Sequence, residues 1–266
     1  MKIKNKIKSL LRKSSYKYNR LINNDKNIYL IYTMGKVGSA GIYKSLKKEL
    51  PYSNIFHVHF LSKNWLDNIL PNRNKLFHSN IKIGYDILNF IKKNPKKRIK
   101  IITLVREPIM RSISDLFQNW QHLYDDIETV DNQILQNRLE EMNHDYTLNW
   151  FDSEFLEYLD IDIYKHPFNK TKGFEIYNFD NIDILCIKLE SLNTIGQIAL
   201  HEFLKMDIIL ESANKSADKK GKEAYSYLND NIKIKKEKLS ELYNSKYVRH
   251  FYSNGEINYF IERWSK

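Results

Sequence analysis

The chain has 266 residues, a formal net charge of +11 and a pI near 9.3. A hydrophobic fraction of 42% with 13% aromatics excludes wholesale disorder and allows a substantial core. No apolar run approaches the roughly 20 residues of a membrane span, and the single Cys186 excludes an intramolecular disulfide. The start, Met1–Lys8, lacks a continuous apolar stretch, so the expectation is a cytoplasmic protein without a secretory signal.

Residues 1–22 carry Lys2, Lys4, Lys6, Lys8, Arg12, Lys13, Lys17 and Arg20 and no acid, with Ile3, Ile7, Leu10, Leu11, Leu21 and Ile22 recurring at helical spacing. This predicts a basic amphipathic helix over 1–24, suited to peripheral contact with the inner membrane face or to docking on the rest of the chain. From 25 to 266 one domain is expected, because no repeat or low-complexity linker interrupts the pattern. Its first strand, Ile28–Thr33, runs into Gly35-Lys36-Val37-Gly38-Ser39-Ala40, and a helical pattern follows over Ser39–Leu50. A strand, a glycine loop and a helix start gather backbone N–H groups and the positive end of a helix dipole around one small volume, which suits a phosphate-like anion. Lys36 adds a full charge. A nucleotide-triphosphatase loop would instead place its Lys at the helix start, next to a magnesium-binding hydroxyl. That pair is missing here.

The second strand, Ile55–His59, holds two imidazoles, and alternation sends His57 and His59 to one face. An imidazole titrates near neutral pH and suits proton abstraction. His59 is the candidate base, with His57 assisting. Glu107 and Asp86 are the carboxylate alternatives, and a half metal site or a satisfied core pair are the other readings of His-x-His. Further elements follow in alternation: a helix at Trp65–Leu70, a strand at Leu76–Ser79 with His78 near the cleft, a helix at Tyr85–Lys93 and a strand at Ile99–Val105. Arg106-Glu107-Pro108 then opens a helix over Ile109–Leu123 that carries Arg111 and Ser114. Residues 121–165 read as a polar, helical insertion. Two strands (Phe174–Phe179 and Ile182–Leu189) and a helix at Ser191–Leu204 come next. A Lys/Gly/Ser-rich loop at 211–223 holds Lys220 and Gly221, and a helical tail runs from Lys236 to Trp264. The fold class is α/β: a P-loop-like three-layer arrangement with a central, mostly parallel sheet. Ligands in such sheets bind beyond the carboxyl ends of the strands, where both anion-suited segments fall.

Thr33-Met34-Gly35-Lys36-Val37-Gly38-Ser39 resembles the 5′-phosphosulfate loop of sulfotransferases that use 3′-phosphoadenosine 5′-phosphosulfate (PAPS). Leu104-Val105-Arg106-Glu107-Pro108 with Ser114 resembles their 3′-phosphate site, an Arg at a strand end and a Ser eight positions later. His57-Val58-His59 is similar to the His-x-His of uronosyl 2-O-sulfotransferases, whose second His is the proposed base. Ala217–Lys222 loosely resembles the loop that covers adenosine 3′,5′-bisphosphate, with Lys219 where an Arg is usual. The ensemble looks like a bacterial carbohydrate sulfotransferase of the capsular polysaccharide synthesis type. Coverage is good from 28 to 120 and weaker from 170 on, and residues 121–165 have no counterpart. The resemblance implies PAPS as donor and a glycan or other hydroxyl acceptor. It also implies a loop from Gly35 to Ala40 around the phosphosulfate, Lys36 on the departing group, Arg106 and Ser114 on the 3′-phosphate, and no metal. The alternatives are a P-loop kinase, for which Glu190 is the one acid at a strand end, and a non-enzymatic basic membrane- or nucleic-acid-binding protein. No nucleic-acid-binding motif is present.

Overall fold

A computed structural model describes residues 26–73, 77–123, 131–210 and 222–266. The basic helix expected over 1–24 and the covering loop with Lys220 and Gly221 lie outside the described residues. Five strands form one sheet in the order β2-β1-β3-β5-β4: β1 Asn27–Tyr32, β2 Asn54–Val58, β3 Arg98–Val105, β4 Phe174–Asn178 and β5 Ile182–Lys188. All neighbours are parallel except the edge pair β4–β5. The central strands are near-continuous apolar runs, as strands covered on both faces must be; Ile28–Tyr32 and Ile101–Val105 are buried throughout. Edge strand β2 is less apolar and leaves His57 half-buried.

Helices flank the sheet: α1 Ser39–Glu49, α2 His78–Lys92, α3 Pro108–Leu123, α4 Asn132–Glu141, α5 Asp145–Phe151, α6 Leu192–Leu204, α7 Lys222–Asn231, α8 Lys236–Tyr243, α9 Lys246–Phe251 and α10 Asn254–Trp264. This mixed α/β architecture agrees with the fold class expected from the alternation of elements. One continuous cluster of buried side chains runs from Ile28 to Trp264, and a smaller one gathers Phe60, Trp65, Leu66 and Leu70.

One expectation is corrected. Of the strand placed at Leu76–Ser79, Leu76 lies outside the described residues and the rest forms no strand: Phe77 precedes α2, which starts at His78, and His78 is exposed there. Phe77 packs on the small Phe60–Trp65 cluster, and a four-residue segment with only two apolar residues does not separate a buried strand from a helix start. The tail from Lys236 to Trp264 is helical as expected and divides into three helices, because Ser245 and Ser253 each accept a backbone N–H and start a new one.

The chain runs from β1 through α1 to β2 on one side, then crosses back to β3 on the other. Strand order therefore reverses beside β1. The carboxyl end of β1 is the crevice where such a sheet leaves room for a ligand.

Candidate active site

The loop Thr33–Gly38 leaves β1 at that crevice. Thr33 is buried; its Oγ1 accepts from Leu104 N–H and donates to Leu104 C=O, both at 3.0 Å, which anchors the loop to β3. Met34 and Val37 point into the core. Lys36 has φ 71° and Gly38 φ 76°, both left-handed. Glycine takes that conformation freely, whereas for Lys36 it costs roughly 1 kcal/mol or more. Gly38 precedes α1 and has no side chain to cap it, and its backbone lies against Leu189.

Two arginines hold the loop from behind. Arg106 Nη1 donates to Lys36 C=O at 2.8 Å, and Arg111 Nε donates to Gly35 C=O at 3.3 Å. Arg111 is buried, pairs with Asp115 at 3.2 Å and lies over the Tyr146 ring. Tyr146 in turn accepts Gly35 N–H at 3.1 Å. Both backbone groups of Gly35 thus have protein partners. The Arg106 backbone is fixed on both sides by Tyr247, whose hydroxyl accepts its N–H at 3.0 Å and donates to its C=O at 2.9 Å. Ser114 stands half-buried on α3, on the stripe Arg106, Met110, Ser114 and Phe117 that is only partly covered.

β2 stops at Val58, so His59 sits just past it. The two imidazole rings are 4.9 Å apart, as alternation requires of one face. Their partners differ. His59 Nδ1 lies 2.6 Å from Thr33 C=O. A carbonyl only accepts, so Nδ1 carries the proton and the neutral ring presents Nε2 as an acceptor. Burial pushes the His59 pKa down; the Thr33 bond opposes this, and the cations of Lys36 and Arg111 add to the depression. His57 Nε2 meets Ser39 Oγ at 2.9 Å, and its ring stacks on Tyr43. Burial, then the neighbouring His59, bring the His57 pKa down to about 4. Both rings are therefore neutral near pH 7. His59 is placed to take a proton, and His57 to orient the Ser39 hydroxyl at the start of α1.

The carboxylate alternatives stand elsewhere. Asp86 is exposed on α2 and pairs with Lys82. Glu107 is fully buried and caps its own helix, accepting Ile109 N–H at 2.8 Å and Met110 N–H at 2.7 Å, with Tyr243 O–H donating to it as well. Burial, outweighing these bonds, lifts its pKa to about 7. Glu190, just beyond β5, accepts Glu107 N–H at 2.8 Å and Tyr252 O–H at 3.2 Å. Among the described residues no group of three or more His, Cys, Asp or Glu is placed to hold a metal ion.

The helical insertion supplies contacts that the sequence did not suggest. Besides Tyr146 on the loop, Trp150 Nε1 donates to His59 C=O at 3.2 Å. Glu154, fully buried, accepts from Tyr32 O–H (2.5 Å), Leu61 N–H (2.7 Å), and Ser62 N–H and O–H (3.1 Å each). One helical face therefore braces the loop, the base candidate and the turn after it. Acidic and aromatic residues within a polar helical stretch were the only sequence signal for this.

Residues 124–253 match the NKWYS family model, described as "Putative capsular polysaccharide synthesis protein". No curated protein and no solved structure matches the chain. The family match takes in most of the insertion, for which the sequence offered no counterpart, including Tyr146, Trp150 and Glu154. It leaves out the loop, both histidines and Arg106. The similarity thus connects the chain with polysaccharide synthesis and is silent on the donor. Among the described residues no helix is long and apolar enough to cross a membrane.

Proposed function

We propose that this chain is a sulfotransferase that moves a sulfuryl group from PAPS to a hydroxyl of a glycan or glycan-like acceptor. The observation that carries the reading is the meeting of three elements at the switch point: an uncapped helix start behind a left-handed loop, Arg106 bonded to that loop, and a neutral imidazole with its Nε2 presented. Cationic side chains and backbone N–H groups are the donor set that a phosphosulfate group requires. The similarity to a capsular polysaccharide synthesis family favours a carbohydrate acceptor.

Bound at the loop, PAPS supplies the activated sulfuryl group. His59 takes the acceptor's proton at Nε2 while the acceptor oxygen bonds to sulfur. Lys36 and the N–H groups of α1 offset the charge that collects on the leaving 5′-phosphate as the bridging S–O bond breaks. On this reading Arg106 and Ser114, on the same partly covered stripe, receive the 3′-phosphate, and Ser39 adds a hydroxyl held by His57.

Calorimetric titration with adenosine 3′,5′-bisphosphate, run beside ATP with magnesium, tests the donor. The expected result is bisphosphate binding that Lys36→Ala weakens. Binding of ATP–magnesium alone would sink the reading and favour a P-loop kinase. In a transfer assay on capsular glycan, His59→Ala should lose turnover while keeping bisphosphate affinity.

A further inference from the structure

Arginine at the end of β3 has a second task, separable from holding a 3′-phosphate. Arg106 does not merely stand beside the loop: its Nη1 bonds the carbonyl of Lys36, the residue held in the left-handed region. Arg111 bonds the preceding carbonyl, that of Gly35. In a trans peptide the C=O and the following N–H point in opposite directions. A carbonyl drawn back toward a guanidinium therefore turns the next N–H to the far side of the loop. Fixing the Lys36 carbonyl in this way aims Val37 N–H away from the Arg106 guanidinium. A left-handed residue followed by a helix start is the backbone shape that makes a concave N–H nest for an anion. Left alone, a non-glycine residue would relax out of this conformation.

The two arginines are themselves held, Arg106 through its backbone and Arg111 through its guanidinium. Tyr247 ties both backbone groups of Arg106, and Asp115 with the Tyr146 ring confines Arg111. A surface arginine in casual contact would have no such support.

We infer that Arg106 and Arg111 are positioning residues that preset the loop for its anion by pinning the carbonyls of Lys36 and Gly35. This rests on the sulfotransferase reading and deepens it. Affinity for a 5′-phosphate-type group should then depend on Arg106 even when the ligand has no 3′-phosphate to offer it.

The test uses two probes on the full chain: adenosine 3′,5′-bisphosphate, and adenosine 5′-phosphosulfate, which lacks the 3′-phosphate. Arg106→Ala should weaken both, the phosphosulfate by about tenfold, the worth of one charge-assisted hydrogen bond. Arg106→Lys, which restores a single donor, should recover the phosphosulfate affinity but the bisphosphate affinity only in part. Arg111→Lys, which keeps the buried charge, should retain binding better than Arg111→Gln at matched thermal stability. Unchanged phosphosulfate affinity in Arg106→Ala, with only the bisphosphate weakened, overturns the inference and leaves the sulfotransferase reading standing. A wild-type protein that binds neither probe overturns both.

Discussion

His59 donates its Nδ1 proton to the carbonyl of Thr33 across 2.6 Å, so the first residues beyond two neighbouring strands fix the tautomer of the base candidate. The same bond joins the base to the loop, since Thr33 is the loop's first residue. Orientation and protonation state are set together by backbone that the sheet already holds in register, with Tyr32 opposite Val58.

A pH dependence follows. Burial lowers the His59 pKa below the ordinary 6.5, and the neutral ring is the form that accepts a proton. As pH falls, activity should persist through 6.5 and decline only below it, where His59 finally protonates. The pH profile of kcat/KM for sulfate transfer checks this. An acidic limb centred at or above 6.5 would assign the limb to another group.

Much of this was legible in the chain, for identifiable reasons. Ile28–Tyr32 and Ile99–Val105 are uninterrupted apolar runs, so the central strands and the crevice beyond them could be read directly. Gly35, Lys36 and Gly38 mark a tight loop between β1 and α1, and His57 and His59 share a face by alternation alone. The bracing of the site was not legible. Tyr146, Trp150 and Glu154 reach the loop and the base from more than 90 positions away, and nothing local marks an aromatic or a glutamate as a partner for a distant backbone group. The tail was legible as helical, but not its division into three helices, since Ser245 and Ser253 are N-caps within a pattern whose apolar spacing runs on through them.

Trp150 should matter to turnover beyond its part in the core. Its indole N–H holds the His59 carbonyl, and Trp150→Phe keeps an aromatic ring while removing that bond. A displacement of the base on the order of 1 Å is enough to slow proton transfer strongly. The expected result is a fall in kcat of about tenfold or more, with bisphosphate affinity unchanged. If kcat is preserved while the melting temperature drops, Trp150 serves packing alone.

Gly38 separates conformational strain from crowding. A Cβ there would sit 2.7 Å from Leu189 Cδ1, and φ is 76°. Leu189 can swing its side chain aside, but the left-handed backbone remains costly for alanine. Gly38→Ala should destabilise the chain by about 1–2 kcal/mol and weaken anion binding. Adding Leu189→Ala removes the close contact and should not restore binding. Full recovery in the double variant would make the contact with Leu189, not the backbone, the reason for glycine.

Glu154 gives the fold a pH dependence of opposite sign to that of the buried histidines. Burial lifts its pKa from 4.5 to about 7, against the pull of its hydrogen bonds from Leu61, Tyr32 and Ser62. In the unfolded chain the carboxyl is ionised above about 4.5. Between these values the folded protein binds the extra proton, so this group's contribution is fully present below about 4.5 and is lost as pH rises through about 7. His57, His144 and His250, each brought down to about 4 by burial, act the other way: their contribution is present above the ordinary 6.5 and is lost as pH falls toward 4. Glu154→Gln isolates the carboxyl. The amide keeps one acceptor but turns an NH₂ toward donors, a roughly pH-independent loss of about 1–3 kcal/mol. What it removes is the titration. Urea unfolding at pH 5 and pH 8 should therefore show a clearly smaller deficit for the variant at pH 8, by an amount on the order of 2 kcal/mol. Equal deficits at the two pH values would mean that Glu154 stays ionised throughout, held so by the donors aimed at it, and that burial does not decide its charge.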